Sequence, residues 1–417
     1  MVKCRAVCKT GETFSATLDL RIAESENAIL STDLFDLFAV ASAVVVFIFL
    51  MLLYTLVKRK PTDGSEHYAD AAKEIVPAEY RFDKNNLILG RKIGEGEFGV
   101  VLMAEAQYIK VGEPSTTVAV KMMQGFGGES IRNSILAELK MIILIGRHLN
   151  IVNLLGAVTE NIRNDQLMII LEYCRYGSVL EYMRENKSNF VHCNLGLNMA
   201  WMASQQYWSI GELNGEDRTH FRTTDLICWS AQVANGMKYL ASKNVFHGDL
   251  AARNILLCEK NVVKISDFGL ARVFNRGSYY KKTSKDRVPF KWLALESISK
   301  QKYSVQSDVW AYGVLLWELF SLGTNPYPGV PVDEHFYDLL KGGYRMPKPA
   351  YANEAVYDLM FSCWNEDPNL RPSFPRLSHV FHQMLPNSMR IHYITLNDPY
   401  EEANLRQVNS ENEESKV

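Results

Sequence analysis

The stretch of sequence that decides the fold is VFHGDLAARN, at Val245–Asn254. A second motif, DFG at Asp267–Gly269, begins 13 positions after Asn254. Short motifs of this kind also arise by chance. Their meaning therefore depends on what the rest of the chain places before and after them.

A glycine-rich segment precedes both motifs, GEGEFGVV at Gly94–Val101. Glycines allow backbone amides to approach phosphate oxygens closely, but a dinucleotide-binding fold or an ordinary hairpin would fit the same pattern. The dinucleotide-binding fold requires a helix to begin at the last glycine, whereas Val100–Met103 has the composition of a strand. We therefore expect two strands joined by a loop that could cover phosphates.

A lysine and a glutamate lie between these segments. Lys121 ends the apolar run Val118–Lys121, 22 positions after Gly99, and Glu138 follows 17 positions later. A lysine at the end of an apolar strand is usually a surface residue. Glu138, however, aligns with apolar positions on the core face of a predicted helix, and a buried carboxylate needs a cation. Lys121 is its natural partner.

The apolar pattern predicts two lobes. Strand-like runs occur at Leu87–Gly94, Val100–Gln107, Thr117–Met122, Leu154–Thr159 and Leu167–Glu172, with one helix near Ser130–Ile145. From Ser178 onward the pattern is helical. Apolar residues recur there at Leu226, Trp229, Val233, Met237 and Leu240, and Asp308–Leu322 is mostly apolar. The predicted fold class is α+β, with a β-rich lobe, a helical lobe and a cleft between them.

Composition excludes several classes of protein. The 417 residues include 45 Lys and Arg and 47 Asp and Glu. This near balance produces no overall positive potential that would attract nucleic acid. Hydrophobic residues make up 47% of the chain, too many for a disordered protein. Seven cysteines are too few for a disulfide scaffold, and no repeat indicates a solenoid.

An apolar stretch at Leu37–Val57 predicts a transmembrane helix. It has no charged residue over 21 positions, which at about 1.5 Å per residue spans about 30 Å of hydrocarbon. A buried core helix is the alternative. The basic cluster Lys58-Arg59-Lys60 follows at once. Because basic clusters remain cytoplasmic, residues 58–417 are predicted to lie inside the cell.

The segment at residues 1–33 is then predicted to be extracellular, and it is too short for a core of its own. Its pattern from Cys4 to Leu20 suggests one hairpin, which resembles the last two strands of an immunoglobulin-type domain. We interpret it as the remnant of such a domain, from a truncated gene model or a short isoform. A small unstructured tail is the alternative.

Taken in order, the motifs resemble those of protein kinases. The glycine-rich loop, Lys121, Glu138, the two motifs quoted first and ALE at Ala294–Glu296 follow kinase order and spacing. The resemblance covers residues 82–385 and implies the bilobal protein-kinase fold, with an N-lobe at 82–174 and a C-lobe at 175–385. The flanking parts are a transmembrane helix at 34–57, a juxtamembrane linker at 58–81 and a tail at 386–417.

The resemblance is closer to one class of kinase. AARN at Ala251–Asn254 and PFKW at Pro289–Trp292 look like tyrosine-specific forms, and Leu149–Ala157 and Glu172–Gly177 are similar to the receptors for vascular endothelial and platelet-derived growth factors. This implies a single-pass, homodimeric receptor of the plasma membrane that autophosphorylates tyrosines. Those receptors carry a long C-lobe insert, whereas the insert here, at about 190–222, is short.

The resemblance implies ATP and Mg²⁺ as cofactors and a role for each motif. Asp249 would take the proton of the attacking hydroxyl, and Arg253 would neutralise charge beside it. Lys121, held by Glu138, would orient phosphates. Asn254 and Asp267 would bind Mg²⁺. The residues expected to contact ATP are Gly94, Glu95, Gly96, Glu97, Phe98, Gly99, Val101, Ala119, Lys121, Leu171, Glu172, Cys174 and Leu256.

Three further residues are expected to have scaffold roles only. Asp308 would hold the backbone of the catalytic loop. Glu296 and Arg371 would form a buried ion pair in the C-lobe.

Two positions depart from the kinase pattern. Gly248 stands where most kinases of this kind have Arg, and Leu295 stands where they have Pro. A catalytically impaired pseudokinase that serves as a phosphotyrosine docking scaffold is therefore the alternative. Lys121, Asp249, Asn254 and Asp267 are all present, which favours an active enzyme. A serine/threonine kinase would be expected to have Lys-Pro-Glu before Asn254 in place of Ala-Ala-Arg.

Tyrosines outside the lobes are candidate phosphorylation sites. Tyr68 and Tyr80 lie near the predicted membrane helix, and Tyr400 lies in the tail. The acidic stretch DPYEEA at Asp398–Ala403 looks like a docking site for phosphotyrosine-binding adaptors. An uninvolved, solvated tail is the alternative.

Overall fold

The computed structural model describes residues 2–7, 13–18, 76–96, 99–123, 129–159, 167–193, 220–274, 280–281 and 289–414. Contacts divide the chain into two compact units, Met1–Gly64 and Ser65–Val417.

The first unit contains an antiparallel hairpin of β1 (Val2–Val7) and β2 (Thr13–Leu18). The hairpin predicted at the amino terminus is therefore confirmed. The predicted membrane helix at Leu37–Val57 and most of the juxtamembrane linker lie outside the described residues. Among the residues that are described, no helix combines the length and the apolar character needed to cross a membrane.

The second unit begins with a five-stranded antiparallel sheet. Its strands are β3 (Leu87–Gly96), β4 (Gly99–Gln107), β5 (Ser115–Met122), β6 (Leu154–Val158) and β7 (Met168–Glu172), in the order β3-β4-β5-β7-β6. Each strand lies within two residues of its predicted bounds. One face buries alternate residues of β4, β5 and β7 in an apolar core, as the period of two requires.

The other face of the sheet meets a helix. Helix α1 (Glu129–Ile145) matches the helix predicted near residues 130–145. Its residues Ile135, Leu139 and Ile142 are buried and share a core with Ile169 of β7. Spacings of four and three residues place these side chains on one helical face, so the sheet and the helix form the N-lobe together.

The C-lobe is helical. Its helices are α2 (Val179–Glu185), α3 (Thr223–Ser242), α4 (Leu295–Lys300), α5 (Val305–Phe320), α6 (Phe336–Lys341), α7 (Glu354–Cys363) and α8 (Phe374–Gln383). The apolar positions predicted on α3 are all buried. Helix α5 is buried on almost every side, which places it at the centre of the lobe.

Short strands bring the two motifs together. The C-lobe strands are β8 (Phe190–Val191), β9 (Phe221–Arg222), β10 (Val245–Phe246), β11 (Ile255–Leu257), β12 (Val263–Ile265), β13 (Arg272–Val273), β14 (Tyr280–Lys281) and β15 (Lys302–Tyr303). Strand β10 pairs with β13, and β11 pairs with β12. His247–Asn254 connects β10 to β11, and Ser266–Ala271 connects β12 to β13. The strand pairing therefore places these two segments side by side. Strands β8 and β9 pair in parallel at the two ends of the insert.

A helix also occupies the tail. Helix α9 spans Asn387–Glu414, and the spacing of Met389, Tyr393, Leu396 and Tyr400 places them on one face, which contacts the C-lobe. The Tyr393 hydroxyl donates a hydrogen bond to Asn150 Oδ1 at 2.7 Å. In its described part, the tail is thus a docked helix and not the solvated segment of the alternative interpretation.

Candidate active site

A buried ion pair links the sheet to helix α1. Lys121 on β5 donates to both carboxylate oxygens of Glu138 on α1, each at 2.7 Å. The two side chains are 13% and 3% exposed, so the predicted pairing is confirmed. One ammonium bonded to two oxygens of a carboxylate is a charge-assisted contact, and it fixes the position of α1 against the sheet.

The pKa values of this pair reflect burial and a third charge. Burial opposes the charge of Lys121, but the carboxylates of Glu138 and Asp267 outweigh it and raise the pKa of the lysine. Burial also raises the pKa of Glu138, against the attraction of Lys121. The two short contacts between the ammonium and the carboxylate indicate that the pair is ionised. Asp267 Oδ1 lies 3.8 Å from Lys121 Nζ, so the lysine faces two carboxylates.

Asp267 has a backbone conformation that is rare for an aspartate. Its φ is +62°, and such strain is characteristic of functional sites. The next residue, Phe268, is 2% exposed and packs edge-to-face on His247, with ring centroids 5.3 Å apart. This anchored ring keeps the Asp267 carboxylate, 48% exposed, turned toward Lys121 and the cleft.

The catalytic-loop aspartate is held on both of its oxygens. Asp249 Oδ1 accepts a short hydrogen bond from Arg253, and Oδ2 accepts one from Asn254 Nδ2 at 2.9 Å. The Arg253 guanidinium lies over the ring of Trp292, 4.5 Å from its centroid. The Asp249 side chain is only 14% exposed. It is therefore fixed in orientation, which suits the general-base role predicted for it.

A backbone hydrogen bond holds the two candidate metal ligands, Asn254 and Asp267, close together. Ser266 N donates to Asn254 O at 2.9 Å, and Asp267 follows Ser266 directly. Asn254 uses its Nδ2 on Asp249, which leaves the amide oxygen as its donor. An aspartate carboxylate and an amide oxygen are hard ligands that suit Mg²⁺, which usually takes one or two protein ligands besides phosphates and water. The residues present therefore fit the ion.

Two buried carboxylates of α5 anchor the catalytic loop. Asp308 accepts hydrogen bonds from the amides of His247 at 2.7 Å and Gly248 at 2.9 Å, which confirms its predicted role. Glu318 accepts from the Ala252 amide at 3.0 Å and from Trp292 Nε1 at 2.9 Å. The sequence interpretation missed Glu318, although a glutamate within the apolar second half of α5 was a signal.

Burial is the largest influence on the pKa of both carboxyls, Asp308 and Glu318. It raises the pKa of Asp308 to about 6, opposed by His247 and the two backbone amides. It raises the pKa of Glu318 to about 7, opposed by the Ala252 amide and Trp292. Both carboxyls thus bind a proton more tightly in the folded chain than in the unfolded chain.

Sheet register gathers the residues expected to contact the nucleotide. Val101 of β4 lies opposite Lys121 of β5, and Ala119 of β5 lies opposite Leu171 of β7. Opposite residues in antiparallel strands point to the same face, and residues two apart along a strand do too. Val101, Ala119, Lys121 and Leu171 therefore share one face of the sheet. Gly94 joins them because it lies opposite Val101.

The glycine-rich segment connects two strands. Glu95 pairs with Val100, and Gly96 pairs with Gly99, so the pairing of β3 with β4 extends to the end of both strands. The last glycine, Gly99, begins strand β4 and not a helix. A Cβ at position 99 would lie 2.2 Å from the carbonyl oxygen of Met122, so only glycine fits there. Of the residues predicted in this loop, Glu97 and Phe98 lie outside the described part of the chain.

The remaining predicted nucleotide contacts lie where the lobes connect. The Glu172 carboxylate accepts from Asn153 Nδ2 at 2.7 Å and pairs with Lys264 at 2.9 Å. The Glu172 amide also donates to Asn153 O at 3.2 Å, so both its carboxylate and its N–H are engaged within the chain. Cys174 is 7% exposed. Leu256 on β11 is partly exposed and belongs to the C-lobe.

The predicted scaffold pair is also present. Arg371 donates to Glu296 through both terminal nitrogens, at 2.7 and 2.8 Å. The Arg371 side chain has no exposed surface, and it donates further to the carbonyl oxygens of Gln306 and Asn365 at 2.7 and 2.9 Å. The predicted buried pair is confirmed, and it joins α4 to the segment that precedes α8.

The ion pair of the N-lobe can be tested by Glu138→Gln. This change removes the charge opposite Lys121 but keeps the volume of the side chain. A hydrogen bond to a charged group contributes about 1.5–3 kcal/mol, so we expect kcat/KM for peptide phosphorylation to fall about 10- to 100-fold. Glu185→Gln, at an exposed C-lobe position, is the matched control. Equal rates in both variants would contradict a role for the pair.

The raised pKa of Glu318 predicts a pH dependence of stability. An acid whose pKa is raised on folding stabilises the folded chain at low pH, and that stability is lost as pH rises through the folded-state value. At pH 6 Asp308, with a pKa of about 6, is already half ionised, whereas Glu318, with a pKa of about 7, is still mostly protonated, so Glu318 contributes most of the change above pH 6. Between pH 6 and 7.5 the free energy of unfolding should therefore fall by about 1 kcal/mol. Denaturant titrations at several pH values should show that Glu318→Gln loses most of this fall in the free energy of unfolding. Glu334→Gln, at a side chain that is 88% exposed, should keep it.

Comparison with known proteins gives one family over most of the chain. The sequence model described as protein tyrosine and serine/threonine kinase matches residues 87–381. Platelet-derived growth factor receptor alpha of Takifugu rubripes is 36% identical over 404 residues, covering 81% of this chain and 38% of that protein. Mast/stem cell growth factor receptor kita of Danio rerio is 35% identical over 422 residues, covering 89% and 43%.

A third relative is vascular endothelial growth factor receptor 2 of Mus musculus. It is 41% identical over 352 residues, covering 76% of this chain and 26% of that protein. The chain thus spans between about a quarter and somewhat under half of the length of these relatives.

Proposed function

Since this chain belongs to the protein tyrosine and serine/threonine kinases, with a tyrosine kinase domain similar to those of growth factor receptors, we propose that it transfers the γ-phosphate of ATP to protein tyrosines. One observation carries the proposal most directly. Lys121, Glu138 and Asp267 form a charged cluster, while Asp249 is held by Arg253 and Asn254. These are the side-chain charges that phosphoryl transfer in kinases requires, and their contacts with one another support the proposal.

The residues divide the work of the reaction. Lys121 would hold the phosphates of ATP, with Glu138 keeping the ammonium in place. Asp249 would accept the proton of the tyrosine hydroxyl, since it lies fixed in the catalytic loop. Bound Mg²⁺, which Asn254 and Asp267 fit, would neutralise charge on the transferring phosphoryl group. Arg253, between Asp249 and the Trp292 ring, would balance the charge of the base.

We further propose the setting of this activity. The predicted helix at Leu37–Val57 would cross the plasma membrane once and leave residues 58–417 in the cytoplasm, as the basic cluster that follows it favours. Similarity to growth factor receptors supports a homodimer that phosphorylates its own tyrosines and binds adaptors at Tyr68, Tyr80 or Tyr400. Tyr400 is half-buried on α9, so an adaptor could bind the phosphorylated side chain only after that helix detaches.

The test is a phosphorylation assay on the full chain in detergent micelles. With Mg-ATP it should phosphorylate a peptide that contains a single tyrosine, and it should leave the matched phenylalanine and serine peptides unmodified. Transfer to serine would contradict the proposed specificity. Binding of Mg-ATP without any transfer would favour the pseudokinase scaffold instead.

The departure at Gly248 leads to a prediction about loop phosphorylation. In related kinases an arginine at this position is the expected partner of a phosphate on the activation loop. Gly248 has no such cation, and its φ of +80° suits glycine, since a Cβ would meet the Leu270 carbonyl oxygen at 3.1 Å. Its amide is nevertheless anchored by Asp308 at 2.9 Å, so Asp249 stays in place without a phosphate.

We therefore expect the double change Tyr279→Phe, Tyr280→Phe to alter kcat/KM by less than about tenfold, or about 1.4 kcal/mol. Among the described residues, Arg272 has a guanidinium 6.0 Å from the Tyr280 ring centroid and is a candidate to replace the missing arginine. Initial rates should be measured on protein whose phosphorylation state is known. A much larger loss would show that a cation such as Arg272 reads the phosphate.

A further inference from the structure

Two cysteines meet at the connection between the lobes. Cys174 follows β7, and Cys258 follows β11. They form a disulfide with Cα atoms 4.4 Å apart across 84 positions of sequence. The cysteine count gave no hint of this pairing. In the described part of the chain, Cys193, Cys228 and Cys363 are not joined in a disulfide.

The two segments are held together by other contacts as well. Leu257 N donates to Gly177 O at 2.9 Å, and Tyr176 N donates to Leu257 O at 3.2 Å. Arg175 and Glu259, the residues that follow the two cysteines, form an ion pair at 3.8 Å. These contacts do not depend on sulfur chemistry. The thiols would therefore remain adjacent in the reduced protein, and closing the bond would need little movement.

The two sulfurs differ in access. Cys174 is buried at 7% exposure, whereas Cys258 is partly exposed. An oxidant would reach Cys258 first, and Cys174 would then act as the resolving thiol. Disulfides in cytoplasmic proteins are usually transient and redox-sensing, and exposed thiols beside a resolving cysteine are typical of redox sensors.

We propose that Cys174 and Cys258 are a reversible, peroxide-sensitive thiol pair that restrains the connection between the lobes. The oxidant is hydrogen peroxide or an organic hydroperoxide. The Cys258 thiolate attacks the peroxide, the O–O bond breaks, and a sulfenic acid and hydroxide form. The Cys174 thiol then attacks the Cys258 sulfur, the S–S bond forms, and the hydroxyl leaves as water. Two thiols lose two electrons, hydrogen peroxide becomes two waters, and a dithiol reductant reverses the change.

The effect on activity rests on the proposed kinase function. The segment from Glu172 to Gly177 joins the lobes, and its backbone at Cys174 is expected to contact adenine. Leu256, two residues before Cys258, is expected to lie under the same ring. Connecting residues absorb the backbone rotation when two domains open, and opening for product release limits many enzymes. Oxidation therefore ties this segment to the C-lobe and slows release of ADP.

The experiment uses the full chain in detergent micelles. The protein is reduced with dithiothreitol, freed of reductant, exposed to a series of hydrogen peroxide concentrations and alkylated with iodoacetamide. Non-reducing peptide mapping by mass spectrometry then identifies linked and free cysteines. Dissociation of a fluorescent ADP analogue is measured on the same samples. Cys258→Ser is the test variant, and Cys193→Ser is the matched control at another partly exposed cysteine.

The Cys174–Cys258 peptide should form at lower peroxide than any product of Cys193, and dithiothreitol should remove it. ADP dissociation should slow by about threefold or more on oxidation in the wild type and in Cys193→Ser, but not in Cys258→Ser. The proposal would be overturned if Cys174 and Cys258 were still alkylated, and so unlinked, at a peroxide concentration that oxidises Cys193. It would also be overturned if the two cysteines became linked and ADP dissociation did not change. A reduced chain that transfers no phosphate would contradict the proposed function alone, because the peptide mapping does not depend on catalysis.

Discussion

Asp249→Asn should lower kcat for tyrosine-peptide phosphorylation by about 10³-fold, within the range that a general base contributes. The change keeps the size of the side chain, and the contact with Asn254 can be retained. It removes the proton acceptor and the charge opposite Arg253. Nucleotide affinity should change little, because Lys121, Glu138 and Asp267 are untouched.

Two measurements separate these effects. Single-turnover rates report the transfer step, and fluorescence titration with the ADP analogue reports binding. Asp338→Asn, at an exposed position of α6, is the matched control and should behave as the wild type. A variant at position 249 that keeps most of its transfer rate would show that another group takes the proton. Loss of nucleotide binding with a lowered melting temperature would point to a structural role.

Arg371→Met should lower the free energy of unfolding by about 3–5 kcal/mol, the range for breaking a buried ion pair. The change leaves the Glu296 carboxylate without its two hydrogen bonds and also removes the donors to the carbonyls of Gln306 and Asn365. Because the Arg371 side chain is wholly buried, water cannot readily replace these bonds.

Urea or thermal unfolding of the full chain would measure this loss. Arg376→Met, at an exposed position of α8 only five residues away, should change stability by less than about 0.5 kcal/mol. The double change Arg371→Met, Glu296→Leu should recover part of the loss, because no unpaired charge remains. An Arg371→Met variant as stable as Arg376→Met would show that the pair contributes nothing to folding.

The two positions test different parts of the molecule. Asp249 is proposed to act on the reacting hydroxyl, whereas Arg371 joins segments of the C-lobe that carries the catalytic loop. Glu318 lies between these roles, since it bonds the loop at Ala252 and also the Trp292 indole under Arg253. The expected order of effects on transfer rate at saturating ATP is therefore Asp249→Asn first, with the stability variants affecting mainly the fraction of folded protein.

Much of the fold could be predicted from the sequence because the signals are local. Strand-like runs predicted all five strands of the N-lobe sheet and left one helix between them at α1, while spacings of three and four residues predicted α3 and a mostly apolar stretch predicted α5. The positions of the candidate site residues followed from local signals too. Asp249, Asn254 and Asp267 lie in short motifs around β11 and β12, and a hairpin brings its two ends together whatever the rest of the fold does.

Tertiary structure alone decided the contacts between distant residues. Glu318 reaches the Ala252 amide across 66 positions. Tyr393 of α9 reaches Asn150 across 243 positions, which docked a tail that sequence could equally assign to solvent. Cys174 and Cys258 meet across 84 positions. Periodicity and motif spacing report the neighbours of a residue along the chain, whereas these pairs form only because packed strands and helices bring separate segments to one place.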